Sequence, residues 1–299
     1  MAALIAGSVL FRGVWPFEAA ASALTQLALL AVMVAVLSLL LWRPVSASVL
    51  IAAAAFAFWR TAEAVAPPSP PVTNPDITVV WANLYNRPRS LSAVQALALR
   101  ESADILAIAE YPAKDYLTPE FLAAYPHRYP ERRSKGQNSV VFSRTAFLSA
   151  TELPAKRHPP IRLTSIIDGA ELTIIAVHPP VPFTPKALAR QRDEIAVAFR
   201  AAPRGESYII IGDFNAVPWN SVLTGPTIGL EAPKRLSLGA RATWLSPLPL
   251  IGAPIDHAFI SNDLVGAVRL GPANGSDHLP LIVNIKLDGA ASHASLAAS

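Results

Sequence analysis

Four apolar runs in this sequence each lead into a residue able to do chemistry. Ser207 to Asn220 reads SYIIIGDFNAVPWN, in which the run Tyr208 to Ile211 passes through Gly212 to Asp213 and Asn215. Ile77 to Ala82 delivers Asn83, Ile105 to Ala109 delivers Glu110, and Leu172 to Val177 delivers His178. Two further stretches carry the same kinds of group: Ile255-Asp256-His257 opens AFI, and Ser276-Asp277-His278 precedes the run Leu281 to Ile285. Continuous β-branched runs read as strands buried on both faces. A carboxylate at the end of one is costly unless it is hydrogen-bonded or holds a metal. A single such site is more simply explained by an Asx turn, in which Asp and Asn satisfy local backbone groups. Repetition changes the reading, because α/β proteins gather ligands and catalytic groups at strand ends and the loops beyond them. Three Asp, one Glu, two His and two Asn converging there make a site.

The elements that must position these groups follow from the pattern after Ile77, where apolar strands alternate with amphipathic segments. Ser92-Ala93-Val94-Gln95 matches a capping box and predicts a helix from there to about Glu101. Thr118-Pro119 and Thr184-Pro185 each place an N-cap before Pro at the first helical position, the second opening a long helix from Pro185 to about Ala201. Further strands are read near Val140, Ile161, Ile166 and Phe259, which suggests two packed sheets with helices outside. His257, next to Asp256 on a strand, points to the opposite face and is read as structural.

Taken together, GDFNA at 212–216, SDHLP at 276–280, IDH at 255–257, Asn83 and Glu110 at strand ends and His178 after a strand resemble the endonuclease/exonuclease/phosphatase superfamily, in its membrane-anchored bacterial-type branch. The resemblance spans Ile77 to Leu287 and implies an α/β fold, a four-layer sandwich of two mixed β-sheets flanked by helices. It also implies metal-assisted hydrolysis of phosphoric esters. That reaction requires a placed water, a metal to hold charge, and donors around the phosphoryl oxygens. Mg²⁺, with Mn²⁺ as the alternative, is expected on Glu110 first and Asp277 second, with Asn83 touching metal or phosphate. By resemblance Asp256 partners His278, which contacts the scissile phosphate, and His178 matches a second histidine of the nuclease members. Asp213 is the candidate base for the attacking water, although an acid at this position is also argued to serve the leaving group. Asn215 orients the phosphate, and Asn138, just before the strand VVF, faces the site together with Ser139. Trp244 either lines the pocket or packs in the core. The acidic partner of His178 is not legible.

The chain is 52% hydrophobic and only 15% charged, and the excess lies at its start. Ala19 to Trp42 carries no charge and, as one helix, would measure about 36 Å, enough to cross a hydrocarbon core of about 30 Å. Val45 to Trp59 is marginal in length: it either crosses, if Arg60 snorkels and the helix runs on toward Ala66, or lies in the interface. Met1 to Phe11 is too short to span. The expected organisation is an anchor at 1–66 with helices at 19–42 and about 45–62, a Pro-rich linker at 67–76, one domain at 77–287 and a disordered tail at 288–299. The linker is expected to act as an extended, semi-rigid spacer. Arg43, in the turn between the two runs, favours the cytoplasmic side, which sends the domain outside the plasma or inner membrane. The absence of cysteine excludes a disulfide framework.

Confinement near a bilayer favours a lipid-linked phosphate as substrate. Nucleic acid is the second reading, supported by the two histidines and the basic stretch HRYPERRSKGQ at 127–137. Residues 1–66 hold three Arg and two Glu, so the remainder carries +3 of the total +4, a mild bias beside that of a dedicated DNA binder. A non-catalytic binding module is the third reading, which the presence of every principal site residue disfavours. No obligate protein partner is inferred.

Overall fold

The computed structural model describes residues 1–114, 116–131, 139–155, 158–224, 233–245, 247–248 and 251–287. Asn138, most of the basic stretch and the tail 288–299 lie outside the described residues. Four helices come first: α1 (Ala2–Leu10), α2 (Phe17–Ser22), α3 (Leu24–Leu40) and α4 (Pro44–Ala64). Then follow β1 (Ile77–Asn83), α5 (Pro88–Arg100), β2 (Ile105–Ala109), α6 (Pro119–Ala124), β3 (His127–Tyr129), β4 (Val140–Ser143), β5 (Phe147–Glu152), β6 (Ile161–Ile167) and β7 (Ala170–Val177). The chain continues with α7 (Pro185–Arg200), β8 (Tyr208–Asp213), α8 (Ser221–Thr224), β9 (Lys234–Leu236), β10 (Asp256–Ile260), β11 (Leu264–Leu270) and β12 (Leu281–Leu287).

Among the described residues the strands form two six-stranded mixed sheets, ordered β11-β12-β1-β2-β4-β3 and β5-β6-β7-β8-β10-β9. Each has a parallel pair, β1 with β2 and β7 with β8. Parallel neighbours need a crossover, which α5 and α7 supply. Side by side, the pairs deliver their ends to one place. Asn83 is in register with Ala109, next to Glu110, and Val177, next to His178, is in register with Gly212, next to Asp213.

Alternation along each strand sets the layers. Ile77, Val79 and Trp81 share the core between the sheets with Ile174, Ile209 and Ile211. Val80 and Ala82 pack under α5 with Leu91, Val94 and Leu97, and Ile175 and Ile210 pack under α7 with Ile195 and Phe199. The expected α/β sandwich is therefore present as helix, sheet, sheet, helix.

Local readings fare unevenly. Thr118 and Thr184 cap α6 and α7, accepting from the N–H groups of Phe121 and Ala187. The capping-box reading at Ser92 is wrong: α5 already begins at Pro88, whose fixed φ suits the first turn. Gln95, the supposed capping partner, instead donates to the Tyr116 carbonyl and accepts from Thr118 N–H, both at 2.9 Å, and ties α5 to α6.

The apolar start also folds differently from its spelling. The run Ala19 to Trp42 is divided at Ala23, because the Ala21 carbonyl and Ser22 hydroxyl bond to Trp219 and Asn220 of the domain. That leaves α3 with 17 residues. The run read as marginal becomes the longer helix, α4, whose 21 residues are long and apolar enough to cross a membrane. Small residues, Ala28, Ala31 and Ala35 of α3 with Ala47, Ala54 and Ala57 of α4, are buried and let the two helices pack as a hairpin. The outer faces stay apolar and exposed, Met33, Leu37, Leu40, Val49 and Trp59 among them. The Pro-rich stretch is not a free spacer either. Ser69 N–H donates to the Ser237 carbonyl and Ser69 Oγ accepts from Ser237 N–H, each at 2.8 Å, so the stretch lies along the domain.

Gly212 gives the tightest constraint on the strand that carries Asp213. A Cβ there would meet the Val177 carbonyl oxygen at 2.0 Å, a backbone atom that cannot swing away. We expect Gly212→Ala to destabilise the domain by at least about 3 kcal/mol, the upper range for overpacking, as chemical denaturation would read. A loss below about 1 kcal/mol would show that β7 and β8 can part without consequence.

Candidate active site

The strand ends assemble one cluster. Asp213 and Asp256 are in register across β8 and β10, which brings two carboxylates together on the inner face of the sheet, both 2% exposed. Like charges so close cannot both be ionised without compensation. His278 supplies it: Nδ1 lies 2.8 Å from Asp256 Oδ2, and Nε2 lies 3.7 Å from Asp213 Oδ2. Asp256 is further held by Trp81 Nε1, which donates to Oδ1 at 2.9 Å, and its backbone N–H donates to the Thr243 hydroxyl oxygen at 3.0 Å.

Protonation follows from this arrangement. Burial opposes a charge on His278, yet the Asp256 and Asp213 carboxylates outweigh it and raise the imidazole to about 10. Against burial, which would raise it, the His278 charge holds Asp256 below the usual carboxylate range. Among the described residues Asp213 has no hydrogen-bonded cation, and burial pushes it up to about 7. The pair Asp256–His278 is thus an ion pair, and Asp213 is a carboxyl poised to take a proton near neutral pH.

Asn83 links the two sheets. Its Nδ2 donates to Glu110 Oε1 and to Asp213 Oδ2, each at 3.1 Å, and its Oδ1 accepts from Tyr85 N–H. Asn86 Nδ2 donates to the other Glu110 oxygen at 3.0 Å. Glu110 itself sits in the left-handed region at φ 48°, uncommon outside Gly, Asn and Asp, with its carbonyl held by Asn86 N–H. Asn215, also left-handed at φ 49°, donates through Nδ2 to the Pro179 carbonyl, while its N–H donates to Asp213 Oδ1 at 2.8 Å.

His178 stands between two carboxylates, with Nε2 3.7 Å from Glu110 Oε1 and 3.8 Å from Asp213 Oδ2. Both distances exceed a hydrogen bond. Burial pushes its pKa down to about 3, helped by His158 and His278, so it is a neutral imidazole. Asp277 accepts from Trp244 Nε1 at 2.9 Å and from Ser276 Oγ at 3.3 Å, which gives Trp244 a polar role beyond packing. His257 turns away as its strand position requires, its Nε2 2.8 Å from the Ala216 carbonyl. Asn138 lies outside the described residues.

Comparison with known proteins agrees with this geometry. A family model described as Endonuclease/Exonuclease/phosphatase family matches residues 80–278, two thirds of the chain. The chain belongs to the endonuclease/exonuclease/phosphatase family. Its class of reaction is accordingly the hydrolysis of phosphoric esters. No curated protein matches it in sequence. Among solved structures, an endonuclease/exonuclease/phosphatase from Beutenbergia cavernae DSM 12333 is similar at 18% identity and TM-score 0.55, over 72% of each chain. Truncated TDP2 of Caenorhabditis elegans is similar at 14% identity and TM-score 0.56, over 70% of this chain and 97% of that one. An AP endonuclease of Archaeoglobus fulgidus is similar at 15% identity and TM-score 0.53, over 69% and 98%. At these identities the likeness is one of fold.

For an endonuclease/exonuclease/phosphatase member, a divalent ion has to fit the donors present. Among the described residues, Asp213, Asp256 and His278 form the group with ligand atoms within 4.8 Å of one another. Asp256 and His278 already satisfy each other, so this trio suits proton handling better than cation binding. Glu110 suits an ion: each oxygen receives one amide N–H and retains acceptor capacity, and its side chain is 22% exposed.

Sequence reasoning missed Trp81, Thr243, Asn86 and Gln191. Trp81 precedes Asn83 by two and so shares its face of β1, a signal that was available. Gln191 Nε2 donates to the Phe214 and Asn215 carbonyls, fixing the loop after Asp213. Thr243 and Gln191 have no local signature.

Proposed function

We propose that this protein is a membrane-anchored, Mg²⁺-dependent phosphohydrolase or phosphodiesterase acting on a lipid-linked phosphate, with its domain outside the cytoplasmic membrane. The observation that carries this reading is where the α3–α4 hairpin joins the domain. Gln26, in the first turn of α3, donates to the Ile251 carbonyl, and the carbonyl of Ala64, the last residue of α4, accepts from Arg235. Both helix ends that meet the domain therefore lie at one end of the hairpin, and Trp42-Arg43 lies at the other, with Trp42 92% exposed. This arrangement, with Arg43 read as cytoplasmic, supports a domain on the opposite surface, with residues 1–66 as anchor and 77–287 as catalytic domain.

In this reading Asp213 takes the proton of a water that attacks phosphorus, as the bond from phosphorus to the leaving oxygen breaks. His278, charged and held by Asp256, donates from Nε2 to a phosphoryl oxygen, and Asn215 and Asn83 orient the phosphate. Neutral His178 hydrogen-bonds a phosphoryl oxygen or the leaving group. A divalent ion, held by Glu110 with Asp277 and Asn83, would supply charge neutralisation of the phosphoryl oxygens.

The test is phosphate release by the detergent-solubilised chain from a polyprenyl pyrophosphate, a phosphodiester lipid and plasmid DNA, each with Mg²⁺ and with EDTA. Release from a lipid substrate alone, abolished by EDTA, is the expected result. Nicking of DNA alone would replace it with a surface nuclease, and full activity in EDTA would remove the metal. Glu110→Gln is expected to raise the Mg²⁺ concentration for half-maximal rate about 100-fold, at the upper end of what even supporting groups contribute.

A further inference from the structure

The loop that leaves the site after Asp213 and Asn215 is pinned from several directions. Phe214 N–H donates to the Ile255 carbonyl at 2.9 Å, the Ala216 carbonyl lies 2.8 Å from His257 Nε2, and Gln191 holds the Phe214 and Asn215 carbonyls. A further restraint comes from the N-terminal helices. Glu18 of α2, only 2% exposed, accepts through Oε1 from Ser221 N–H at 2.6 Å and Ser221 Oγ at 3.0 Å, and through Oε2 from Gly13 N–H at 2.6 Å. Asn220 donates to the Glu18 carbonyl, while its Oδ1 accepts from Ser22 Oγ and, at 2.8 Å, from Val217 N–H. Trp219 Nε1 donates to the Ala21 carbonyl at 2.6 Å. Val217 and Trp219 then pack with Ile5, Leu24 and Ala28.

A tether needs none of this. A buried carboxylate is tolerated only where donors satisfy it, and Glu18 spends both oxygens on the junction between the anchor and the loop that begins at the catalytic strand. We infer that the N-terminal helices are a working part of the active site, with Glu18 a positioning residue that holds the Asp213–Asn220 loop through Ser221 and Asn220. This rests on the reading above only in taking Asp213 and Asn215 as the groups that handle water and phosphate. Glu18 touches no reacting atom, so its loss acts on geometry, where displacements near 1 Å can cost about a hundredfold in rate.

The experiment uses the full chain in detergent micelles, with bis-para-nitrophenyl phosphate and Mg²⁺ as a probe independent of the natural substrate. Glu18→Ala is expected to lower kcat by about ten- to a hundredfold with KM within about twofold, and Glu18→Gln, which retains one acceptor oxygen, to fall between it and the parent. Amide hydrogen exchange over 214–222 is expected to speed up in Glu18→Ala, while exchange in β1 and β2 stays slow. Trp219→Phe, which removes one donor and keeps the ring packing, gives a milder loss of the same kind and carries the test if Glu18→Ala does not fold. A kcat within twofold of the parent, a change confined to KM, or unchanged exchange over 214–222 overturns the inference. If the parent hydrolyses no phosphoric ester, the functional reading fails, and the exchange measurement still decides the role of Glu18.

Discussion

Asp213→Asn is expected to lower kcat by about a thousandfold or more, within the range for loss of a general base, while the melting temperature rises. The two effects share one cause. Burial raises the folded-state pKa of Asp213 from 3.8 to about 7, so its stability contribution is present below pH 3.8 and is lost as pH climbs toward 7. Above that, the folded wild type holds a carboxylate it would rather protonate. Asn has the same shape, still accepts from Asn215 N–H through Oδ1 and carries no charge, and the bond from Asn83 Nδ2 that it gives up offsets only part of the gain. Compared in chelator, the melting temperatures of variant and wild type should diverge between about pH 4 and pH 7 and run parallel above. A variant that retains wild-type turnover would remove Asp213 from the chemistry. A variant that melts lower at pH 8 would contradict the protonation assigned to it.

His278→Ala should behave oppositely in stability. Here the loss of activity comes with unfolding at lower temperature, because Asp256 keeps its burial and loses its cation. Removing one partner of a buried ion pair costs about 3–5 kcal/mol, and among the described residues Trp81 Nε1 is the neutral side-chain donor left hydrogen-bonded to the Asp256 carboxylate. His278 has its pKa raised to about 10. Its stabilisation is therefore complete below the unfolded value of 6.5 and fades as pH rises through about 10. Thermal melts of wild type should thus decline over that alkaline window, and the decline should vanish in the variant. An Asp256→Asn, His278→Ala double variant should recover much of the stability without recovering turnover. Equal melting of the single variant and wild type would mean that the pair is not the ion pair described.

Strand ends were legible because strands buried on both faces spell themselves as unbroken β-branched runs, and the residue that breaks each run is the one with chemistry. Asn83, Glu110, His178 and Asp213 could be read this way. What brings Asp256 opposite Asp213 is antiparallel pairing between strands joined by a long excursion, and no local pattern encodes that register. Trp81 reaches Asp256 across 175 residues of sequence and Glu18 reaches Ser221 across 203. The break at Ala23 was illegible for the same reason: the sequence there is a good helix, and the groups that interrupt it come from the far end of the chain. At Ser92 a match to the capping-box pattern lost to a Pro four residues earlier that had already opened the helix.

The folded-back Pro-rich stretch fixes the leash at nearly zero slack. With Ser69 and Ala66 bonded to Ser237, and Pro68 against Gly239, the stretch adds no slack between α4 and the domain. On the proposed topology the enzyme meets its substrate by drifting within a sheet of lipid, a search in two dimensions. Its rate then answers to how crowded the bilayer is with substrate, and diluting the membrane with inert lipid slows it even when the amount of substrate in the tube is unchanged.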